Sequence, residues 1–214
     1  MNITIIDYKS GNLASLKNSL ESAASNNKNT YKIEVSNNPE NIIKADKVIL
    51  PGVGDFFNCK EQLFSIKGML EAIEYFINDQ ERPFLGICIG MQLMAKVSYE
   101  RGKNKGLDLV DSEVVVINNK SNKFRVPHMG WNNIELENPN YLKSFSSLNK
   151  NDFYFVHSYH MICNNNKNIL ASMTYGEKMV AAICKDNLIG VQFHPEKSQI
   201  IGKKFLLEFL DWKP

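Results

Sequence analysis

Cysteine is scarce in this chain: four among 214 residues, at positions 59, 88, 163 and 184, with no C-x-x-C pair. That spacing suggests neither a disulfide framework nor a zinc site, so a reducing compartment, the cytoplasm, is the expected setting. An uninterrupted apolar run of about 18 residues is also missing, which excludes a membrane-spanning helix. The opening Met1-Asn2-Ile3-Thr4-Ile5-Ile6-Asp7 lacks the basic region and long apolar stretch of a secretory signal and reads as a first strand. Basic residues are scattered, giving a formal net charge of +2 without the stripe a phosphate backbone demands, so nucleic acid is not an expected partner. Neither a repeat nor a Pro/Gly/Ser-rich linker divides the chain, and residues 1–214 read as one domain.

What is there is ordinary globular material, with 43% hydrophobic and 22% charged residues, enough to build a core. Asparagine is abundant, and Asn164-Asn165-Asn166-Lys167-Asn168 reads as a turn between apolar segments. Through the first half, strands and helices alternate. Ile3 to Asp7, Tyr31 to Val35, Lys47 to Leu50 and Pro83 to Ile87 have strand character, while Asn12 to Ala24, Leu63 to Ile77 and Ile89 to Val97 have helical spacing. Such alternation predicts a parallel sheet covered on both faces. From about residue 112 the pattern changes to short β-like runs, at Glu113 to Ile117, Asn132 to Leu136, Phe153 to Val156, Val180 to Cys184 and Leu188 to Phe193, before a closing helix from Gly202 to Leu210. The second half is therefore expected to be mixed or antiparallel sheet joined to the first.

Chemistry enters at Gly86-Ile87-Cys88-Ile89-Gly90. This is G-x-C-x-G, in which glycines permit a sharp turn from strand to helix with a nucleophile at its apex. The following helix start places backbone dipoles near the sulfur and aims the Ile89 N–H where an oxyanion would form. A second element, Leu50-Pro51-Gly52-Val53-Gly54, is a glycine-rich turn directly after a strand, on the side of a parallel sheet where ligands bind. A third, Gln192-Phe193-His194-Pro195-Glu196, sets a carboxylate two residues after a histidine, so an extended backbone brings both side chains to one side as base and orienter. Together the three supply a nucleophile, a base, a carboxylate and oxyanion donors. Cys59, Cys163 and Cys184 read as core or loop residues, and the histidines show no metal-ligand spacing, so neither metal nor cofactor is expected.

These blocks resemble the class I (triad) glutamine amidotransferases. Within them, Val126-Pro127-His128-Met129-Gly130-Trp131-Asn132 and Tyr154-Phe155-Val156-His157-Ser158-Tyr159 are similar to the glutaminase subunits of imidazole glycerol phosphate synthases. Lys9, where many relatives have glycine, and Ile89, where leucine is usual, are small departures. The resemblance implies an α/β, flavodoxin-like fold: a central, mostly parallel sheet flanked by helices, plus a smaller antiparallel sheet. It implies hydrolysis of glutamine to glutamate and ammonia by Cys88, His194 and Glu196, with Val53 and Ile89 N–H groups as the oxyanion hole. Gly52, Gly54, Gln92, Glu100, His157, Ser158 and Tyr159 would hold the substrate. Gln92 falls one helical turn after Cys88, whereas Glu100 lies past the helix end and reads equally as a solvated carboxylate. Asn12, Met129, Trp131, Tyr154 and Lys197 would face a (β/α)₈ cyclase subunit in a heterodimer that receives the ammonia in histidine biosynthesis. Met129 and Trp131 are also compatible with ordinary core. Rival readings are a paralogous glutaminase serving another synthase, such as one that amidates a surface sugar, a cysteine peptidase-like hydrolase, and a non-catalytic flavodoxin-like regulatory domain.

Overall fold

The structure is a computed structural model that describes residues 1–25, 29–119 and 124–214. In chain order its first elements are β1 (Asn2–Ile6), α1 (Leu13–Ala24), β2 (Lys32–Ser36), α2 (Pro39–Lys44), β3 (Lys47–Leu50), α3 (Phe56–Phe64), α4 (Met69–Asn78), β4 (Phe84–Ile87) and α5 (Ile89–Leu93). There follow β5 (Ala95–Ser98), β6 (Asn104–Lys105), β7 (Val110–Val116), β8 (His128–Leu136), β9 (Asn151–His157) and β10 (Tyr159–Cys163). The chain closes with β11 (Ile169–Tyr175), β12 (Glu177–Lys185), β13 (Leu188–Val191) and α6 (Gln199–Asp211).

Among the described residues, nine strands form one sheet in the order β2-β1-β3-β4-β13-β12-β11-β8-β9. Neighbours from β2 to β13 pair parallel, and those from β13 to β9 pair antiparallel. The parallel strands β3, β4 and β13 are buried at every position, as strands covered on both faces must be. By contrast β8 and β9 mostly alternate, burying His128, Ile134, Phe153, Phe155 and His157 and leaving Met129 and Trp131 exposed, with Tyr154 half-buried. Four strands, β10-β7-β5-β6, make the second sheet; it is mixed, because β5 runs parallel to β7.

Two predicted helices are corrected. The apolar spacing over Leu63 to Ile77 belongs to two helices, α3 and α4, separated by a turn in which Gly68 takes φ 81. Apolar positions continue across the break, so periodicity alone does not reveal it. The helix expected over Ile89 to Val97 ends at Leu93, and Ala95 to Ser98 instead joins the small sheet beside Val110 and Val114. Elsewhere local chemistry matches structure: Asn12, Asn38 and Asp55 cap α1, α2 and α3 through their side-chain oxygens. The turn expected at residues 164–168 lies between β10 and β11 and contains a short 3₁₀ segment, Asn166–Asn168.

The arrangement has one consequence for function. Leu50, Ile87 and Val191 are the last residues of β3, β4 and β13, which are neighbours and run parallel. All three sequence motifs therefore emerge from the same edge of the sheet, side by side.

Candidate active site

Cys88 leaves β4 with φ 54 and ψ -111, an uncommon conformation for a residue with a side chain, and α5 begins at the next residue. Its N–H donates to the Val191 carbonyl at 2.8 Å, which ties the turn to β13. The turn closes only because position 90 is glycine: a Cβ there would stand 1.8 Å from the Leu50 carbonyl oxygen. Gly52 meets the same constraint from the other side, since its Cβ would come within 2.8 Å of the Gly90 nitrogen.

Beyond β13 the backbone alternates. Phe193 packs among Phe153, Phe155 and Phe205, while Gln192 and His194 reach the Cys88 sulfur. His194 Nδ1 lies 2.8 Å from Glu196 Oε1, which leaves the other ring nitrogen for the sulfur. Burial opposes a charge on His194, but the Cys88 sulfur, as charge and hydrogen-bond partner, and the Glu196 carboxylate outweigh it. The imidazolium is held well above the usual histidine range. A nucleophile, a proton carrier and an orienting carboxylate thus stand in sequence, which suits acyl transfer.

A cavity of about 360 Å³ opens over this group, within the size range of small-ligand sites. Val53, Gly54, Cys88, Ile89, Gln92, Glu100, His157, Ser158, Tyr159, His194 and Lys197 line it, together with Pro127 and Val156. Glu196, Gly52 and Asn12 border a smaller recess behind His194. Met129, Trp131 and Tyr154 stand apart from the cavity, on the outer face of β8 and β9, where Trp131 meets Tyr154 edge to face at 6.1 Å. Neither Met129 nor Trp131 is core: they are 63% and 47% exposed.

Glu100 Oε2 accepts the Phe56 N–H at 2.8 Å at the start of α3, and burial raises its pKa despite that bond. Val53's N–H is occupied: it donates to Ser10 Oγ at 3.2 Å, and the same hydroxyl donates to the Val53 carbonyl at 2.9 Å. Cys59 Sγ lies 3.0 Å from Ser10 Oγ and 3.3 Å from the Val53 oxygen.

The opposite wall is neutral. The Tyr159 carbonyl lies 2.9 Å from His157 Nδ1, so that nitrogen carries the proton and His157 Nε2 accepts from His128 Nδ1 at 3.0 Å. His128 Nε2 is then left to accept from Asn132 Nδ2 at 3.4 Å. Burial, foremost, lowers the His157 pKa to about 3 and that of His128 to about 4, in keeping with this tautomer chain. Among the described residues no three His, Cys, Asp or Glu side chains gather as a metal ion would need.

Sequence reasoning missed Ser10, Cys59 and Gln192. Gln192 had a signal, since it stands two residues before His194 as Glu196 stands two after, on the same extended side. Ser10 and Cys59 had none, because 49 residues of chain separate two atoms that touch.

Residues 4–211 match the family described as glutamine amidotransferase class-I. The chain is similar to the imidazole glycerol phosphate synthase subunit HisH of Pelagibacter ubique, 41% identical over 99% of this chain and 100% of that one. It is 41% identical to the HisH subunit of Rhodopseudomonas palustris over the full length of both. Its fold is similar to a crystal structure of a glutamine amidotransferase, with TM-score 0.71 at 15% identity over 96% of this chain and 97% of that one. It is also similar to the Trypanosoma brucei CTPS glutaminase domain with bound acivicin, with TM-score 0.63 at 15% identity over 100% and 95%.

Proposed function

The chain belongs to the class I glutamine amidotransferases and, within them, to the HisH subunits of imidazole glycerol phosphate synthase; from that premise we propose that Cys88, His194 and Glu196 hydrolyse glutamine and that the ammonia passes to a (β/α)₈ cyclase subunit. The observation that carries this reading is the strained Cys88 elbow, with its sulfur against the His194–Glu196 pair. The Cys88 thiolate attacks the glutamine carboxamide carbon, and negative charge develops on its oxygen. His194 gives its proton to departing ammonia, leaving a thioester on Cys88. The now neutral His194 then takes a proton from water, whose oxygen attacks the thioester and releases glutamate. Gln92, Glu100 and the backbone of residues 157–159 hold the substrate. Gln92 Oε1 is buried without a hydrogen-bond partner among the described residues, which suits it to a donor on the ligand.

The oxyanion hole is the regulated part. Ile89 supplies one N–H and Val53 the other, but Val53 must first leave the Ser10 hydroxyl. Absence of one donor costs about 10²–10³ in rate, enough for a switch. The signal enters through the face bearing Met129, Trp131 and Tyr154, which docks the cyclase subunit in a heterodimer, with Asn12 and Lys197 nearer the ammonia exit. Support comes from the stitching of this face to the base: the Tyr154 carbonyl accepts the His194 N–H at 2.9 Å, and the Tyr154 N–H donates to Ser198 Oγ at 3.0 Å. Ammonia released into neutral water becomes ammonium and loses its lone pair, so coupling within a cytoplasmic complex avoids wasting glutamine. Glutaminase turnover is to be measured for the chain alone, with the cyclase subunit, and with that subunit and its ligand. A rise across the three is expected, and equal turnover with complex formation verified would rule out the gate.

A further inference from the structure

Two buried carboxamides lie between the neutral histidines and the Cys88 sulfur. Gln192 is fully buried and Gln92 is 1% exposed. Away from water, a carboxamide turns its nitrogen toward acceptors and keeps its oxygen off them, because setting like groups against each other costs more than one bond gains. Here the orientation is set from one fixed point. The Tyr159 carbonyl can only accept, and Gln92 Nε2 lies 3.0 Å from it, so the amide side of Gln92 must face that way. The same Nε2 donates to Gln192 Oε1 at 2.9 Å. With its oxygen committed as acceptor, Gln192 turns its own Nε2 toward Cys88 Sγ, 3.7 Å away. Flipping Gln92 would set its oxygen against the Tyr159 carbonyl, and flipping Gln192 would set two amide N–H groups against each other.

We propose that Gln192 is a further catalytic residue, donating an amide N–H to the Cys88 sulfur, with Gln92 as the residue that holds it in the donating orientation. The inference rests on Cys88 being the nucleophile. The sulfur then has two donors of different character. His194 gains and loses its proton through the reaction, so its help to the sulfur changes from step to step. An amide N–H does not ionise near neutral pH, so Gln192 favours the thiolate when it attacks and again when it leaves the thioester. The geometry also explains a buried glutamine at the end of β13, where an apolar side chain would otherwise pack.

The test reads the sulfur directly. Alkylation of Cys88 by iodoacetamide, followed by mass spectrometry against pH in the intact chain, needs no glutamine and stays interpretable even if glutamine is not the substrate. Three variants are compared. Gln192→Met removes the donor and nearly keeps the shape; Gln192→Glu keeps the oxygen that Gln92 donates to and replaces only the atom facing sulfur. Gln92→Glu leaves Gln192 untouched but invites it to flip, presenting oxygen to the sulfur. All three are expected to slow alkylation at pH 7 about tenfold and to move the acid limb of the rate profile to higher pH. In the two Gln192 variants, glutaminase kcat should fall with little change in KM, as for a group acting on the reacting atom. Unchanged alkylation in the folded variants would overturn the proposal, and so would slowing confined to the Glu variants, which would be charge repulsion alone. If Gln192→Met does not fold, as judged by circular dichroism, Gln92→Met, which removes the holding N–H without adding a charge, is read in its place. Slowing of alkylation in that neutral variant would support the donor, and an unchanged rate would overturn it.

Discussion

The two walls of the cavity hold histidines of opposite character. His194, on the wall made by the ends of β4 and β13, is held charged, whereas His157, on the wall made by β9 and β10, is held neutral. Burial acts the same way on both and disfavours the charged ring. What differs is the company: His194 has the Cys88 sulfur and the Glu196 carboxylate, while His157 has a backbone carbonyl and a second neutral ring. One wall can therefore move protons, and the other can only point them. The Tyr159 carbonyl joins the two, since it fixes the tautomer of His157 and, through Gln92, the direction of Gln192.

Breaking the charged wall gives the largest effects. Cys88→Ala should abolish ammonia release from glutamine while leaving the far-ultraviolet spectrum and cyclase binding unchanged, because the substitution removes one small atom group from an already formed elbow. Substantial turnover in that variant would mean another nucleophile. His194→Ala should follow with a loss on the order of 10²–10⁴, and Glu196→Gln with a smaller one, because the carboxylate acts through the imidazole and not on the substrate. Their order is the check. A Glu196→Gln loss as large as that of His194→Ala, with both proteins folded, would reverse the roles assigned to them.

A smaller change sharpens the contrast between preset and regulated parts of the charged wall. Ser10→Ala removes the hydroxyl that both donates to and accepts from Val53. Releasing one such bond should raise glutaminase turnover without the cyclase subunit about 2–10-fold, and leave turnover in the full complex nearly unchanged. A fall in the isolated chain would show that Ser10 supports the productive orientation of Val53.

The charged wall was largely legible in local sequence patterns, whereas His157, Ser158 and Tyr159 of the neutral wall entered only through the resemblance. G-x-C-x-G, P-G-V-G and H-P-E are local patterns whose spacing reflects turn geometry, and adjacent parallel strands bring them together. Tyr159 acts through a carbonyl that every residue possesses, so no residue identity reveals it. The β8–β9 face was read only in part, since Asn132 to Leu136 and Phe153 to Val156 include the buried Ile134, Phe153 and Phe155 but stop short of the buried His128 and His157. Lys9 shows the opposite case. Read in the sequence only as a small departure, it takes φ 63, the left-handed region, where glycine is favoured.

The smallest expected effect tests the neutrality of the second wall. His157 has a folded-state pKa lowered to about 3, chiefly by burial, against an ordinary unfolded value of about 6.5. Below pH 6.5 the unfolded chain binds a proton there that the folded chain refuses, so stability falls as pH drops from about 6.5 toward 3. By pH 5 this amounts to roughly 1–2 kcal/mol for one such histidine, or about 2–8 °C in Tm for a chain of this size. Glutamine at position 157 offers one donor and one acceptor, as neutral histidine does, but cannot take the proton. His157→Gln should therefore lower Tm slightly at pH 7.5, yet lose less of it than the parent chain between pH 7 and pH 5. Differential scanning calorimetry of the two proteins across that range gives the comparison. Parallel Tm curves would mean that His157 accepts its proton in the folded protein, and that the wall it belongs to is not neutral.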